Sequence, residues 1–452
     1  MSPVHIIQRD KMITAPSKPA KIAFTNANVV TMLNRTILEN QTVVVENGGI
    51  KFIGNSQRFN TSEDTFMVDA HNKYLMPGLI DMHVHLGDNK DDLLLFLVNG
   101  VTTIRNMWGY ENFRLLNWIM GTRVFNHRQL RDRINEGNVL GPSIFSAGPM
   151  LEGAKPFFPR FMIQRVKTDQ RAEAIVREQA TKGYDLIKFY STVSKTVFKA
   201  LVSAAKENKI SIAGHVPDEV GLKEVIKAKV SSVEHLLGFF NPYNPHLAIA
   251  ESDVDELIQL SVENSVYHCP TLIASERICN IESLEQYKNE SELAYLPKRV
   301  RKAMEFLLKT SSKLFKKKEL KPNHEYLPFL FTIVQKLNKQ GDLLLLGTDK
   351  ATPYVIAGFS IHRELQLLSK AGLTPFDAIK AGTVNAANCL GQAAEIGTVE
   401  VGKRADLLLV DKNPLADLET IKSHCGVMVR GNWFSREKCN EILAELKAKN
   451  QV

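Results

Sequence analysis

The chain has 452 residues, more than one core usually serves, and its 44% apolar and 23% charged residues are those of a globular protein rather than a disordered or fibrous one. Its net charge of +8 comes from cations scattered along the chain, which speaks against a nucleic-acid-binding protein, and no apolar run is long enough to span a bilayer. The five cysteines (Cys269, Cys279, Cys389, Cys425 and Cys439) form no CxxC pair, and their odd number speaks against a disulfide framework and fits a reducing compartment.

Residues 1–20 are rich in Pro, Ser and Lys and read as a loose leader without the apolar segment of a signal peptide. The expected location is cytoplasmic; the alternative is a periplasmic or secreted protein whose signal peptide has been removed. From 21 to 75 the chain runs in short β-like stretches, "KIAFTNANVV", "QTVVVENGGIKFIG" and "TFMVDA", broken by Asn-Gly and Gly-Gly turns. The same texture returns in 391–452, in "GTVEVGKRADLLLVD" and "HCGVMVRGNWF", ahead of a C-terminal helix. Two such segments so far apart can pair into one small β domain, with 76–390 inserted between them.

The middle has another rhythm. Eight short apolar runs recur: "GLIDMHVHL", "GVTTIRNM", "PSIFSAGPM", "YDLIKFYS", "ISIAGHVP", "SSVEHLLG", "VYHCPTLI" and "DLLLLGTDK". They alternate with amphipathic patterns such as "SKTVFKALVSAAKENK", and eight βα units imply a closed (β/α)8 TIM barrel. Between 273 and 341 the pattern is long, charged and helical, so a helical insertion precedes the last strand. Its basic runs, "LPKRVRK" and "KLFKKKELK", read as solvated helix faces, with an anion- or nucleic-acid-binding patch as the alternative.

Catalytic groups of such a barrel sit at the C-terminal ends of its strands. Collecting the polar residues there gives His83 and His85 (strand one), Lys188 and Tyr190 (four), His215 (five), His235 (six) and Asp349 (eight). Residues two apart on a strand face the same way, so His83 joins His85 and Lys188 joins Tyr190. A single histidine at a strand end is as readily a structural residue, and Asp349 could cap a helix. Six candidate ligands in barrel order instead describe a metal site of imidazole and carboxylate donors. An ammonium repels a cation, but a buried neutral Lys188 can react with carbon dioxide to give a carbamate that bridges two metals. A binuclear site follows, with His83, His85 and Asp349 on the deeper ion, His215 and His235 on the other, and modified Lys188 between them.

These stretches, with "MPGLIDMHVHL", "GYDLIKFYS", "AGHVP", "SVEHL", "LLGTD" and the tail "GLTPFDAIKAGTVNAANCLGQAAEIGTVEVGKRADLLLVDKNPL", resemble the amidohydrolase superfamily, in its carboxylated-lysine binuclear branch of prolidase-like and imidazolonepropionase-like members. The resemblance covers nearly the whole chain from Lys21 onward. It implies a small β-sandwich built from the N- and C-terminal segments beside the barrel. Two departures stand out. Members often carry Asp where this chain has Asn106, and the loop after strand three, "GPMLEGAKPFFPRF", is aromatic rather than rich in Gly and His.

The expected function is hydrolysis of an amide (C–N) bond, of a dipeptide or N-acyl amino acid, by attack of a metal-bridging hydroxide. Two divalent ions, zinc first among them, lower the pKa of the bound water; Asp349 acts as base and then acid, and Tyr190 is either a hydrogen-bond donor to the oxyanion or a packing residue. Alternatives are a cyclic amide, lactone or phosphoester hydrolase using the same site, or a non-catalytic scaffold. A mononuclear deaminase has no use for Lys188. His268 reads as a core residue and His362 and Arg363 as helix positions, with substrate contact the alternative for each. Phe157, Phe158 and Phe161 line a pocket or form a lid. The partners expected are a small-molecule substrate and further copies of the chain, with neither nucleic acid nor membrane.

Overall fold

A computed structural model describes residues 21–58, 64–87, 90–109, 126–159, 162–240, 251–279, 286–306 and 326–451. The leader, Phe161 and the basic run 313–321 lie outside the described residues. Among these residues no helix is long and apolar enough to cross a membrane.

The N-terminal strands β1 (Lys21–Val30), β2 (Ile37–Glu46), β3 (Gly49–Asn55), β4 (Thr65–Asp69) and β5 (Tyr74–Pro77) lead into the barrel. There follow β6 (Leu79–Val84), β7 (Val101–Asn106), β8 (Ser143–Ser146), the short β9 (Leu151–Glu152) and β10 (Gln164–Arg165), then β11 (Leu186–Phe189), β12 (Ser211–Gly214), β13 (Ser232–Glu234) and β14 (Tyr267–Cys269). Every residue of β6, β7 and β11 is buried, as expected of parallel strands covered on both faces. Parallel ladders join β6 to β7 and β7 to β8, and β11 to β12, β13 and β14 in turn.

Main-chain bonds close the ring at three places. Asp185 N–H donates to Ser146 O (2.9 Å) and Gly148 N–H to Leu186 O (3.1 Å), joining β8 to β11. His268 N–H donates to Leu343 O (2.8 Å) and Leu345 N–H to His268 O (2.9 Å), adding segment 343–350 to β14. Asp349 N–H then donates to His83 O (2.7 Å) and His85 N–H to Lys350 O (2.9 Å), which returns the ring to β6. Eight parallel members thus form the ring of a (β/α)8 barrel. Around it, helices bury one stripe each: Lys195–Glu207 packs Val197, Phe198, Leu201, Ala204 and Ala205 inward, and Asp169–Thr181 starts at Thr168, whose hydroxyl accepts the Arg171 N–H.

The C-terminal strands β15 (Leu407–Val410), β16 (Gly426–Val429) and β17 (Asn432–Ser435) return to the N-terminal ones, and β15 pairs antiparallel with β5. Hydrogen bonds join them all in one continuous sheet, β17-β16-β15-β5-β1-β2-β3 with β4 on β1, rather than in two separate sheets. The sheet has its own core, including Phe24, Val43, Val45, Ile50, Leu407 and Met428. Between β14 and segment 343–350 the described residues include the helices Leu272–Cys279, 298–306 and Tyr326–Gly341 and the 3-10 turn Ser291–Tyr295.

Candidate active site

The ends of the barrel members bring their polar side chains to one place. The His83 ring lies 4.5 Å from His235 and 5.1 Å from His85, and His215 lies 4.7 Å from His235 and 3.9 Å from Tyr190, measured between centroids. Asp349 Oδ1 stands 3.0 Å from His85 Nε2 and 3.5 Å from His83 Nε2. Burial lowers the pKa of His83 and His215 well below the imidazole range and that of His235 to about 4, so all three are neutral donors at pH 7. Burial pushes the Asp349 carboxyl up, but the His85 hydrogen bond and the neighbouring imidazoles outweigh it and keep the group ionised.

Lys188 is only 1% exposed, and its Nζ has no hydrogen-bond partner among the described residues. Burial lowers its pKa to about 8, against the opposing pull of Glu234 and Asp349. Like-charge effects on His83, His215 and His235 place the amine within electrostatic reach of all three.

The backbone is held in costly shapes here. His235 (φ 62°), Thr271 (φ 47°) and Asp349 (φ 56°) all adopt the left-handed region, which a non-glycine residue enters at a cost of about 1–3 kcal/mol. Such strain persists where the surroundings over-determine it. Gly347 serves the same end: a Cβ there would lie 2.4 Å from Cys269 Sγ and 2.9 Å from the His83 nitrogen. Only glycine lets the segment carrying Asp349 come so near the strand carrying His83.

Four residues that spacing did not single out, Glu234, Arg105, Thr271 and Glu364, support the site. Glu234, fully buried, accepts from His83 Nδ1 (2.6 Å), from Arg105 Nη2 (2.9 Å) and from the Ser232 hydroxyl (2.5 Å). Burial works to raise its pKa, but Arg105 and Lys188 overcome that and lower it, so the carboxylate is an acceptor. His83 therefore carries its proton on Nδ1 and turns the Nε2 lone pair toward Asp349. Arg105 is fixed in turn by Met82 O (2.6 Å) and the Ser232 hydroxyl (2.8 Å). On the second flank His235 Nδ1 meets Thr271 Oγ1 at 2.7 Å, leaving Nε2 available. Glu364 accepts the Leu272 and Ile273 N–H groups (2.9 and 2.7 Å) and so steadies the turn that bears Thr271.

Asn106 lies outside this donor set. Its carbonyl accepts the Leu86 N–H (3.0 Å), and its amide reaches Trp108 O, His127 Nδ1 and the Ser146 hydroxyl, each at 3.0 Å. Aromatic rings arch over one side: Trp108 lies 5.6 Å from His85 and 4.9 Å from Phe158, which lies 5.5 Å from Tyr190. Phe158 thus packs in this arch while Phe157 is 55% exposed; Glu152, buried beneath, accepts both their N–H groups (3.1 and 3.3 Å).

The remaining candidates lie elsewhere. His268 Nε2 meets the Ser261 hydroxyl (3.0 Å) in the core. Arg363 is engaged by Glu276, through Nε at 3.1 Å and Nη2 at 2.5 Å. His362 is buried, and burial lowers its pKa to about 3, with Lys422 and Arg436 acting in the same direction.

The donor set fits a metal. One ligand atom from each of His83, His85 and Asp349 lies within 4.8 Å of the others, and His83 Nε2 is buried without a hydrogen-bond partner among the described residues. A lone pair kept dry and unpaired is costly unless a cation uses it. Glu234→Gln should then weaken metal binding about 10- to 100-fold by releasing the His83 tautomer, read by metal titration of the purified variant.

Comparison with known proteins agrees. The chain is 24% identical over 485 residues to ochratoxinase of Aspergillus niger, with 93% of this chain and 88% of that protein aligned. Its fold matches a bottromycin amidohydrolase with TM-score 0.76 and 22% identity, covering 96% of this chain and 92% of the other. A Xaa-Pro dipeptidase with bound methionine in its active site matches with TM-score 0.67 and 21% identity, covering 92% of this chain and all of the other (100%). The family model named "Amidohydrolase family" matches residues 74–434, most of the length and every residue of the site above: the chain belongs to the amidohydrolase family.

Proposed function

We propose that the protein hydrolyses an amide (C–N) bond in a small molecule, a dipeptide or an N-acyl amino acid, using two divalent metal ions. The observation that carries this reading is the buried amine of Lys188, without a hydrogen-bond partner among the described residues, set among neutral imidazoles and the ionised Asp349. The relatives named as a dipeptidase and an amidohydrolase support the class of bond.

His83, His85 and Asp349 would hold one ion and His215 and His235 the other, with Lys188 between them as its carbamate, formed when the amine adds to carbon dioxide and gives up a proton. The nitrogen and oxygen donors suit zinc. When bound, the ions supply a water of lowered pKa and polarise the substrate carbonyl.

Asp349 takes the proton of the attacking water and returns it to the amine nitrogen as the C–N bond breaks. Tyr190, whose ring lies against that of His215 at a tilt of 32°, offers its hydroxyl to the oxygen that gains negative charge. Trp108 and Phe158 shield that side from bulk water, which strengthens each of these interactions. Tyr190→Phe should lower kcat about a hundredfold while the melting temperature holds; an unchanged kcat makes Tyr190 a packing residue.

The proposal is tested by metal analysis of the purified protein together with a panel of dipeptides, N-acyl amino acids, lactones and phosphoesters. Two ions per chain and turnover of the amides are expected. A single ion, or turnover confined to the lactones or phosphoesters, sinks the reading.

A further inference from the structure

A cavity lies outside the donor set. It measures about 370 Å³ and is lined by Lys288, Lys298, Arg301, Lys302, Glu305 and Tyr354, with Leu293 and Met304 as its apolar wall. Five of these six come from the insertion between β14 and segment 343–350. Tyr354 comes from the loop that carries Asp349, and the two are linked along it: the Thr352 hydroxyl donates to Asp349 Oδ2 (2.9 Å) and the Val355 N–H to Thr352 O (3.0 Å). The cavity therefore adjoins the same end of the barrel as the candidate active site.

Its electrostatics are one-sided. Among the described lining residues, four cationic side chains stand beside a single carboxylate, that of Glu305. Lys298, Arg301, Lys302 and Glu305 recur at i, i+3, i+4 and i+7 on one face of helix 298–306. Among the described residues none of the three cations is within ion-pair distance of a carboxylate, and the hydrogen bond of Arg301 goes to a neutral carbonyl, Asn450 O, at 3.3 Å. Like charges at this spacing repel one another across the helix turn, a repulsion that a bound anion relieves. The site is also built rather than incidental. Tyr354 is 2% exposed and held at φ 64°, a strained shape for a bulky residue, and the Asn450 side chain ties the insertion to the C-terminal helix through Tyr295 O (2.8 Å).

We propose that this cavity is an anion-binding site that takes a carboxylate, phosphate or sulfate group beside the active-site loop. Lys298, Lys302 and Arg301 supply charge-assisted donors on one wall, and Tyr354 forms the wall shared with the loop of Asp349. The anion comes either from the substrate itself or from free solution; the substrate source alone rests on the amide-hydrolase reading above.

The test compares the parent protein, Lys298→Ala/Lys302→Ala, and a control with two exposed cations removed elsewhere, Lys195→Ala/Lys199→Ala. Sodium sulfate is titrated against chloride at equal ionic strength, and thermal midpoints are followed. Parent and control should show a saturable stabilisation that the cavity variant loses, with sulfate affinity at least about tenfold weaker. Equal behaviour of all three proteins overturns the site. Kinetics then identify the source. A KM raised about tenfold or more for an N-acetyl amino acid but not for its carboxamide assigns the anion to the substrate; a lost sulfate effect with an unchanged KM ratio assigns it to a free anion. If neither compound is turned over, the amide reading fails while the sulfate titration still decides the cavity.

Discussion

Lys188→Ala is expected to lose the metal pair and to lower kcat/KM about a thousandfold, on the order of 4 kcal/mol of transition-state stabilisation. The reason lies in the amine's setting. It is 1% exposed, has no hydrogen-bond partner among the described residues, and is surrounded by imidazoles that are neutral because they are buried. As an ammonium it would repel cations; as a carbamate it offers two oxygens that share one negative charge. Alanine removes both, leaving room where a short carboxylate such as acetate or propionate can enter and restore part of the metal content and rate. Metal analysis and kinetics with and without these acids check the prediction. Full metal content and full rate in the variant would sink the carbamate reading. Folding should survive, since truncation removes a buried polar group that satisfied no partner, and the thermal midpoint of the metal-free forms reports this directly.

The second large effect falls on Asp349. Asp349→Asn keeps an oxygen near His83 and His85 but is no base at neutral pH. The variant should retain much of its metal while kcat falls about 10²- to 10⁴-fold, the range expected when a general acid–base group is lost. A kcat close to that of the parent would show that the proton is carried by another group. The left-handed backbone at Asp349 favours asparagine among the available replacements, because a short amide side chain tolerates that region. A fall in kcat is therefore expected without a change of backbone.

Much of the barrel can be read from the chain because its strands are short, apolar and evenly spaced. Each of the eight apolar runs falls on a member of the ring. The last, "DLLLLGTDK", is the least regular: it forms no extended ladder and is held by scattered bonds to β14 and β6, which hydropathy does not foretell. The polar side chains at strand ends could also be collected from sequence, since the fold dictates where they lie. Glu234 could not. It precedes His235, and alternation along a strand sends neighbours to opposite faces. The left-handed turn at His235 breaks that alternation and lets both side chains serve one site. The signal was the carboxylate in "SVEHL", legible only once the turn is known. Trp108, Phe158 and Tyr190 come from three separate loops, and their arch depends on loop paths that spacing does not encode. The terminal segments share one sheet through β5 and β15; register, which decides between one sheet and two, is set by pairing rather than by composition.

That shared sheet shapes how the molecule is made. Leu75 of β5 pairs with Leu409 of β15, so more than three hundred residues must be synthesised before the strand finds its neighbour. At ribosomal speeds of about 5–20 residues per second, the wait is on the order of tens of seconds. Throughout it, an apolar strand edge stands open, a template for pairing with another nascent chain. The last strands to emerge thus seal the first ones, and a chain released before β15 would carry a finished barrel alongside an adhesive, half-made sheet.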